Sequence, residues 1–139
     1  MQTPLPTEPC LCTRARRAAQ RMTDYYDKAL QPSGISVNQY ALLINIARLG
    51  ECGTGELAQK LKLEKSTLVR TLKPLLATGL IVDVSTAGSR KRKLRLTPEG
   101  ERVLQTAIPL WRQVQNELTD RLGEDYERLI NFFDTANSL

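Results

Sequence analysis

Histidine is absent from this sequence of 139 residues. Its absence argues against most zinc enzymes, the common Ser-His and Cys-His nucleophile pairs and the usual proton shuttle at neutral pH. Cysteine is scarce, and three residues, an odd number, fit a reducing compartment better than a disulfide framework. Three dispersed cysteines without histidine do not form the usual ligand set of a structural zinc site. We therefore predict no enzymatic activity, no metal site and no cofactor.

Long apolar segments are also missing. No run approaches the roughly 18 apolar residues of a membrane span, and the N-terminus lacks the basic-then-apolar pattern of a secretory signal. We therefore expect the protein in the cytoplasm. The chain is 41% hydrophobic and 25% charged, as in an ordinary globular protein. Its length allows one domain, with at most an appended dimerisation element.

The net charge of +5 is unevenly distributed along the chain. Residues 51–97 contain ten Lys and Arg against four Asp and Glu, a balance of +6, whereas the other residues contain ten against eleven, a balance of −1. Five of these cations fall within six consecutive positions: Arg90, Lys91, Arg92, Lys93 and Arg95. A basic middle between near-neutral flanks indicates a module that binds a polyanion. A basic face that only keeps the protein soluble is the alternative.

Apolar residues at helical spacing predict six helices. The first nine residues contain three prolines and are expected to form a disordered lead. Ser36 and Thr54 are suitable N-caps for the second and third helices, and Thr97 followed by Pro98 opens the fifth. Gly79 is the expected C-terminal stop of the fourth helix. The predicted helices cover residues 10–30, 37–49, 55–61, 65–77, 98–122 and 124–136.

A helix-turn-helix and a basic hairpin occupy the middle of the chain. The third and fourth helices, joined by a tight turn, form the helix-turn-helix pattern. "LIVDV" (80–84) and "KLRLT" (93–97) predict two strands of a β-hairpin that carries the basic run. A hairpin directly after a helix-turn-helix is a wing. The predicted fold class is mainly α with a small β-wing, a winged helix-turn-helix with N- and C-terminal dimerisation helices.

The last two helices need a packing partner for their apolar side chains. Leu104, Trp111 and Leu118 recur every seven residues, interleaved with Ile108, Gln115 and Leu122, in the manner of a helix that packs on another helix. The two helices have little core of their own, so burial against the N-terminal helix of a second chain is the simplest solution. We divide the chain into a disordered lead, residues 1–9, and a single domain, residues 10–139. Within the domain, residues 35–97 form the winged-helix module, and residues 10–34 and 98–139 form the flanking dimerisation helices.

The helix-turn-helix, which we call the reading head, contains "GELAQKLKLEKSTLVRTLKPLLATGLI", and the wing and its exit contain "RKRKLRLTPEG". With these residues, this order of elements resembles the MarR family of bacterial transcription regulators. The wing exit carries a Leu-Thr-x-x-Gly pattern at Leu96, Thr97 and Gly100, with Arg90 seven residues before the threonine. Where family wings usually have an Asp two residues before that arginine, this chain has Gly88, which leaves Arg90 less firmly oriented. The resemblance implies a homodimeric repressor that binds a palindromic operator and is released by a small ligand or by thiol oxidation.

The resemblance extends to the organic-hydroperoxide-sensing branch of the family, which uses a cysteine near the start of the first helix, held by tyrosines. Cys12 falls at that position and Tyr26 matches one tyrosine, whereas the other two tyrosine positions are Arg16 and Val37. Cys12 and Tyr26 are separated by about 21 Å along one helix, so their contact needs a second chain. The redox candidates are Cys12, Cys10 and Tyr26; the alternative is that both thiols are small apolar groups near the dimer interface.

The DNA-contacting residues are expected on the fourth helix and on the wing. A recognition helix reads base edges in the major groove, and we assign Thr67, Arg70 and Thr71 to bases. Lys65, Ser66 and Lys73 are assigned to phosphates. In the wing, Arg90 is the candidate for the minor groove, and Lys91, Arg92 and Lys93 are the further cationic contacts. The alternative is a solvated helix face and a solubilising hairpin.

The sequence is also compatible with a small-molecule pocket and with two alternative functions. Tyr40, Arg48 and Trp111 are candidate pocket residues, although a tryptophan at a helix-packing position is more often part of the core. A winged helix can also serve as a protein-interaction module without binding DNA. A thiol oxidoreductase is the enzyme alternative, but it would normally need Cys-x-x-Cys on an α/β scaffold, and the sequence has neither.

Overall fold

The computed structural model describes residues 2–139. Within this range the chain forms six α-helices, one 3-10 turn at Gln31–Ser33 and one two-stranded antiparallel sheet. The predicted winged helix-turn-helix architecture, mainly helical with a small hairpin, is confirmed. The elements in chain order are α1 (Leu11–Leu30), α2 (Val37–Leu49), α3 (Thr54–Leu61), α4 (Lys65–Ala77), β1 (Ile81–Asp83), β2 (Leu94–Leu96), α5 (Pro98–Leu122) and α6 (Asp125–Asn137).

Side-chain caps determine where α2 and α5 begin. The Ser36 hydroxyl accepts a hydrogen bond from the Gln39 amide, and the Gln39 side chain accepts one from the Ser36 amide, which completes a capping box. The Thr97 hydroxyl accepts from the amide of Gly100, and Pro98 occupies the first helical position of α5. Both predicted starts are therefore confirmed, since each cap satisfies an amide that would otherwise lack a partner.

The start of α3 differs from the prediction. Gly53 is the N-cap and Thr54 is already helical, so the assignment of Thr54 as the cap is wrong. The cause lies at Cys52, whose backbone exchanges two hydrogen bonds with Leu94, with N···O distances of 2.9 and 2.7 Å. These bonds keep the chain extended up to Gly53, after which the helix starts at once. Cys52 itself is 3% exposed and belongs to the core.

Gly79 ends α4 as predicted. It adopts a left-handed φ of +76°, which glycine tolerates better than other residues. Its amide donates to the Leu76 carbonyl at 3.2 Å, and the Leu80 amide donates to the Leu75 carbonyl at 3.0 Å. This pair of bonds is a Schellman motif, which satisfies the last carbonyls of the helix and directs the chain into β1.

The core is formed mainly by α2, α3, α4 and the sheet, and α5 packs over it. The fully buried side chains of the core are Leu30, Leu42, Leu43, Ile46, Leu57, Leu68, Leu72, Leu75, Ile81 and Leu94. Leu104 and Ala107 of α5 join the same cluster. Burial of this many large aliphatic side chains supplies most of the driving force for folding. The helix-turn-helix and the hairpin therefore share one core, which fixes their relative positions.

Helices α1, α5 and α6 carry apolar side chains that this core does not cover. No residue of α6 is buried, and Phe132 is 51% exposed. Part of the predicted heptad stripe of α5 nevertheless faces its own chain, because α5 packs on α1 and α2: Leu104 is buried and Trp111 stacks on Tyr40. Although α5 has 25 residues, neither it nor any other helix between residues 2 and 139 combines the length and apolarity needed to cross a membrane.

Candidate nucleic-acid interface

The outer face of α4 is polar and accessible. Leu68, Leu72 and Leu75 point into the core with no exposed surface, and the helical period places the polar residues on the opposite side. Lys65, Ser66, Thr67, Arg70 and Lys73 are exposed, and Thr71 is half-buried. Among the described residues, no carboxylate lies within ion-pair distance of the three cations in this set. Ser66, Thr67, Arg70 and Lys73 therefore lie opposite the core, and Lys65 and Thr71 lie at the two edges of this exposed surface.

Two local hydrogen bonds affect this surface and its position. The Thr71 hydroxyl donates to the Thr67 carbonyl at 2.9 Å, so the hydroxyl is engaged within the helix and its methyl group is the freer part of the side chain. The turn from α3 to α4 is made at Lys62, which adopts a left-handed φ of +55°. The Leu63 amide then donates to the Ala58 carbonyl at 3.0 Å. This second bond helps to fix the angle between α3 and α4.

The base of the wing is wider than the predicted hairpin. Strands β1 and β2 pair in the register Ile81 with Leu96, Val82 with Arg95 and Asp83 with Leu94. Side chains alternate between the two faces of β2, since Leu94 is buried whereas the Arg95 side chain is exposed. The bridge between Cys52 and Leu94 adds a third segment on the far edge of β2. The wing is thus joined by backbone hydrogen bonds to the connection between α2 and α3.

Asp83 closes the wing where its two strands separate. Its carboxylate accepts hydrogen bonds from the amides of Ser85 at 2.9 Å and Lys93 at 3.2 Å. The pKa of Asp83 is lowered, chiefly by its hydrogen bonds with Ser85, then by the Lys93 amide and the nearby charge of Arg92. Sequence reasoning missed this residue, since an aspartate inside a β-branched segment gives no periodic signal.

The cations of the wing form two groups. The Lys93 Nζ and Arg95 Nη1 atoms lie 3.3 Å and 3.7 Å from the carboxylate of Glu51, which follows α2. Arg90, Lys91 and Arg92 have no such partner within the described part of the chain, and all three are exposed. The tip therefore carries three uncompensated positive charges, whereas Lys93 and Arg95 share one carboxylate.

An open cleft of about 310 Å³ lies between the tip and α3. It is lined by Lys65 of α4, by three wing cations and by the first turn of α3: Arg90, Lys91, Arg92, Gly53, Thr54, Gly55 and Glu56. No side chain caps α3, so its first amides face this cleft without a side-chain acceptor. Four cations and the positive end of a helix dipole meet here beside one carboxylate, that of Glu56, and the excess of positive charge suits a phosphate group.

The candidate redox residues lie on one continuous helix. Cys10 and Cys12 are exposed at the start of α1, and the pKa of Cys10 is lowered, first by a hydrogen bond with the Thr13 side chain and then by backbone amides. Tyr26 lies near the other end of α1, where its hydroxyl donates to Gln115 of α5. Cys12 and Tyr26 do not meet within one chain, as their spacing on a helix predicts.

None of the three candidate pocket residues lines the nearby cleft between α2, β2 and α5. Tyr40 and Trp111 stack with ring centroids 5.5 Å apart and an angle of 17° between the rings. Arg48 is exposed near the end of α2. The cleft between α2, β2 and α5 has a volume of about 440 Å³, with Ile46 and Leu104 among its apolar residues and Arg95 and Glu101 among its charged ones.

A helix-turn-helix followed by a β-hairpin with a cationic tip defines the winged helix-turn-helix class of proteins. A model of the MarR family matches residues 33–92. The structure is also similar to that of the M. tuberculosis transcriptional regulator MosR in complex with DNA, with 34% identity, 94% of this chain and 98% of that chain covered, and a TM-score of 0.80. The chain therefore belongs to the MarR family.

Two more distant structures share the fold. Bordetella bronchiseptica BpsR, whose DNA binding is regulated by 6-hydroxynicotinic acid, is 18% identical over 99% of this chain and 100% of that chain, with a TM-score of 0.84. The transcriptional repressor CouR bound to a 23-mer DNA duplex is 22% identical over 94% of this chain and 93% of that chain, with a TM-score of 0.77. A comparison with curated proteins found no match.

Proposed function

We propose that the protein is a homodimeric transcription regulator that binds a palindromic operator in double-stranded DNA and represses transcription. The observation that carries this proposal is the cleft beside α3, where Lys65 of the helix-turn-helix meets Arg90, Lys91 and Arg92 of the wing. Cations from two separate elements converge there without a compensating ion pair. Membership of the MarR family supports the same function, and the proposal assigns no catalytic activity to the chain.

In this proposal α4 enters the major groove. Arg70 is exposed and has no carboxylate partner among the described residues, so its guanidinium is available for a bidentate contact with guanine. Thr71 presents its methyl group, because its hydroxyl is engaged by the Thr67 carbonyl, and a methyl suits a contact with thymine. Thr67 completes the base-reading set. The phosphate contacts fall to Lys65, Ser66 and Lys73.

The wing then reaches the adjoining backbone and minor groove. Arg90 is assigned to the minor groove, where the negative potential favours an inserted arginine. Lys91 and Arg92 neutralise phosphates, one of which occupies the cleft at the start of α3. Asp83 supports this arrangement by holding together the strand ends from which the tip projects.

A second copy of the chain covers the exposed apolar surface of the flanking helices. A cleft of about 430 Å³ between α1 and α6 is lined by Leu11, Ala15, Met22, Leu129, Phe132 and Phe133, among others. Exposed apolar patches of this kind mark association surfaces. Dimerisation through residues 10–34 and 98–139 places two α4 helices about one helical turn of DNA apart.

The repressor is released by an effector that favours a dimer geometry unsuited to the operator. The exposed thiols at the start of α1 support oxidation as one signal, with Cys12 forming a sulfenic acid, a mixed disulfide or a bridge between subunits. A small ligand bound between the dimerisation helices and the reading head is the other. For that ligand Tyr40, Arg48 and Trp111 remain the predicted contacts, although the stacked rings of Tyr40 and Trp111 would have to separate or admit the ligand at their edges.

The test is fluorescence anisotropy with the DNA upstream of the protein's own gene and a scrambled duplex of equal length and composition. We expect tighter binding to the upstream DNA, with an affinity that falls steeply as salt increases. Analytical ultracentrifugation of the same sample should give two protomers per particle. Failure to retain any duplex at low salt would refute the proposal, and a monomeric particle would refute its dimeric form.

A further inference from the structure

Glu51 lies between two wing cations, although it belongs to a different part of the fold. It follows α2, and its carboxylate contacts Lys93 at 3.3 Å and Arg95 at 3.7 Å. These two residues flank Leu94, whose backbone is bonded to Cys52, the neighbour of Glu51. The backbone bridge therefore holds an acidic side chain against the basic run at a fixed position.

The wing does not depend on Glu51 for its position. Cys52 and Leu94 are both buried and exchange two backbone hydrogen bonds, whereas the side chains of the Glu51 ion pairs are 41% to 58% exposed. Ion pairs between exposed side chains contribute little to stability. The main effect of Glu51 is thus on charge rather than on the shape of the wing.

The two cations held by Glu51 face different surroundings. Lys93 lines a cleft of about 420 Å³ together with Lys91 and Arg92, and Glu51 lies in the same cleft. Arg95 instead lines the cleft between α2, β2 and α5, where Glu101 is a further acidic neighbour. Lys93 is therefore continuous with the cationic tip of the wing, whereas Arg95 is not.

We infer that Glu51 limits the strength of DNA binding by competing with a DNA phosphate for Lys93. This inference rests on the proposed function. A phosphate that approaches Lys91 and Arg92 meets Lys93 already paired and also meets the negative charge of Glu51. Binding then releases fewer counterions than the number of wing cations implies, and dissociation from DNA is correspondingly easier.

The experiment measures the salt dependence of binding for Glu51→Gln, which keeps the size of the side chain and removes its charge. We expect tighter binding, with the slope of log K against log salt steeper by about 0.9, the value for one added phosphate contact. Asp125→Asn is the matched control once ultracentrifugation has shown that it remains a dimer, because it also removes one negative charge and frees one arginine, Arg128, on α6 away from the wing. The control should leave the slope unchanged.

Double variants identify the cation involved. Glu51→Gln combined with Lys93→Gln should return affinity and slope to those of the unaltered protein, whereas Glu51→Gln with Arg95→Gln should keep the gain. Lys93→Gln alone should change binding far less than Arg92→Gln, and this variant tests the inference even where Glu51→Gln folds poorly.

Three outcomes would overturn the inference while leaving the proposed function intact: an unchanged slope for Glu51→Gln, weaker binding by that variant, or equal losses for Lys93→Gln and Arg92→Gln. Weaker binding would make Glu51 a support for the wing. Absence of binding by the unaltered protein would instead refute the proposed function itself.

Discussion

Gly100, in the first turn of α5, packs directly against the backbone of Leu80, which precedes β1. A Cβ atom at position 100 would overlap the carbonyl oxygen of Leu80 and lie 3.0 Å from its carbonyl carbon. The same carbonyl accepts a hydrogen bond from the Thr97 amide at 3.1 Å, and the Thr97 hydroxyl donates to the carbonyl of Gly79. The start of α5 is therefore fixed on the end of α4.

Gly100→Ala should destabilise the protein by about 1–3 kcal/mol, since the added methyl group forces the backbone of α5 away from Leu80. Urea unfolding followed by circular dichroism measures this change. Gly55→Ala is the matched control, because Gly55 is also helical and has open space where its Cβ would lie. That variant should be neutral or more stable by up to about 1 kcal/mol. Equal stability of the two variants would contradict the close packing at Gly100.

Neutralising the wing tip should weaken DNA binding and flatten its salt dependence. For Arg90→Gln combined with Arg92→Gln, the slope of log K against log salt should fall by about 0.9 for each lost phosphate contact. Anisotropy titrations at several salt concentrations provide the slopes. Arg128→Gln serves as a control, since it removes an exposed arginine of α6 that pairs with Asp125. An unchanged slope for the double variant would remove both residues from the interface.

Arg70 and Lys73 should affect specificity differently, although both lie on the exposed face of α4. Arg70→Ala removes a base contact and should cost about 1–3 kcal/mol on the cognate operator, with less discrimination at one base pair. Lys73→Ala removes a phosphate contact and should weaken binding to all sequences alike. Binding to a set of operators with single base changes separates the two results. Uniform loss with Arg70→Ala would place that residue on the backbone.

Asp83 should make the order of the wing dependent on pH. Because its pKa in the folded protein is lowered, its stabilising effect is complete above the ordinary aspartate pKa of about 4 and is lost as pH falls through the folded value. The protection factors of the Ser85 and Lys93 amides, obtained by NMR from exchange rates corrected for the intrinsic effect of pH, should fall as the pH passes from neutral to acidic. Asp83→Asn keeps an acceptor oxygen and should remove the pH dependence, whereas Asp83→Ala should loosen both amides at every pH.

The three cysteines should react at different rates. Cys10 and Cys12 are exposed, whereas Cys52 is buried and its pKa is raised, chiefly by that burial. Alkylation followed by mass spectrometry should therefore modify the first two thiols while Cys52 stays protected. An organic peroxide should release the protein from DNA, and Cys12→Ser should resist that release. Release that persists in Cys12→Ser would exclude Cys12 as the sensor, and the proposal that the protein binds DNA would stand.

Much of the fold follows from local signals in the sequence. The Ser36 capping box, the Thr97-Pro98 start and the Gly79 stop each act within a few residues, so the ends of α2, α4 and α5 are predicted correctly. The polar face of α4 follows in the same way from the helical period. Local signals suffice here because capping and periodicity depend only on neighbours in the chain.

The contacts that organise the wing have no such signal. Cys52 joins Leu94, and Glu51 joins Lys93, across a long stretch of sequence that includes both helices of the reading head. Neither pair belongs to a repeated pattern, and a single residue that bridges to a strand leaves no alternation to detect. The sequence therefore predicts a two-stranded hairpin without indicating that two of its five cations share an acidic partner. In the described part of the chain, the hairpin is joined to the segment after α2, and only Arg90, Lys91 and Arg92 lack an ion pair.

The bridge from Cys52 to Leu94 divides the hairpin into a part that can adjust and a part that cannot. Beyond β1 and β2, the Val84 amide still donates to the Lys93 carbonyl at 2.7 Å, so only residues 85–92 lie outside the ladder that ties the root of the hairpin to the segment between α2 and α3. The span from α4 to that root is consequently constant, so each protomer covers a fixed length of duplex. Target sites of different total length would then have to differ in the spacer between the two halves.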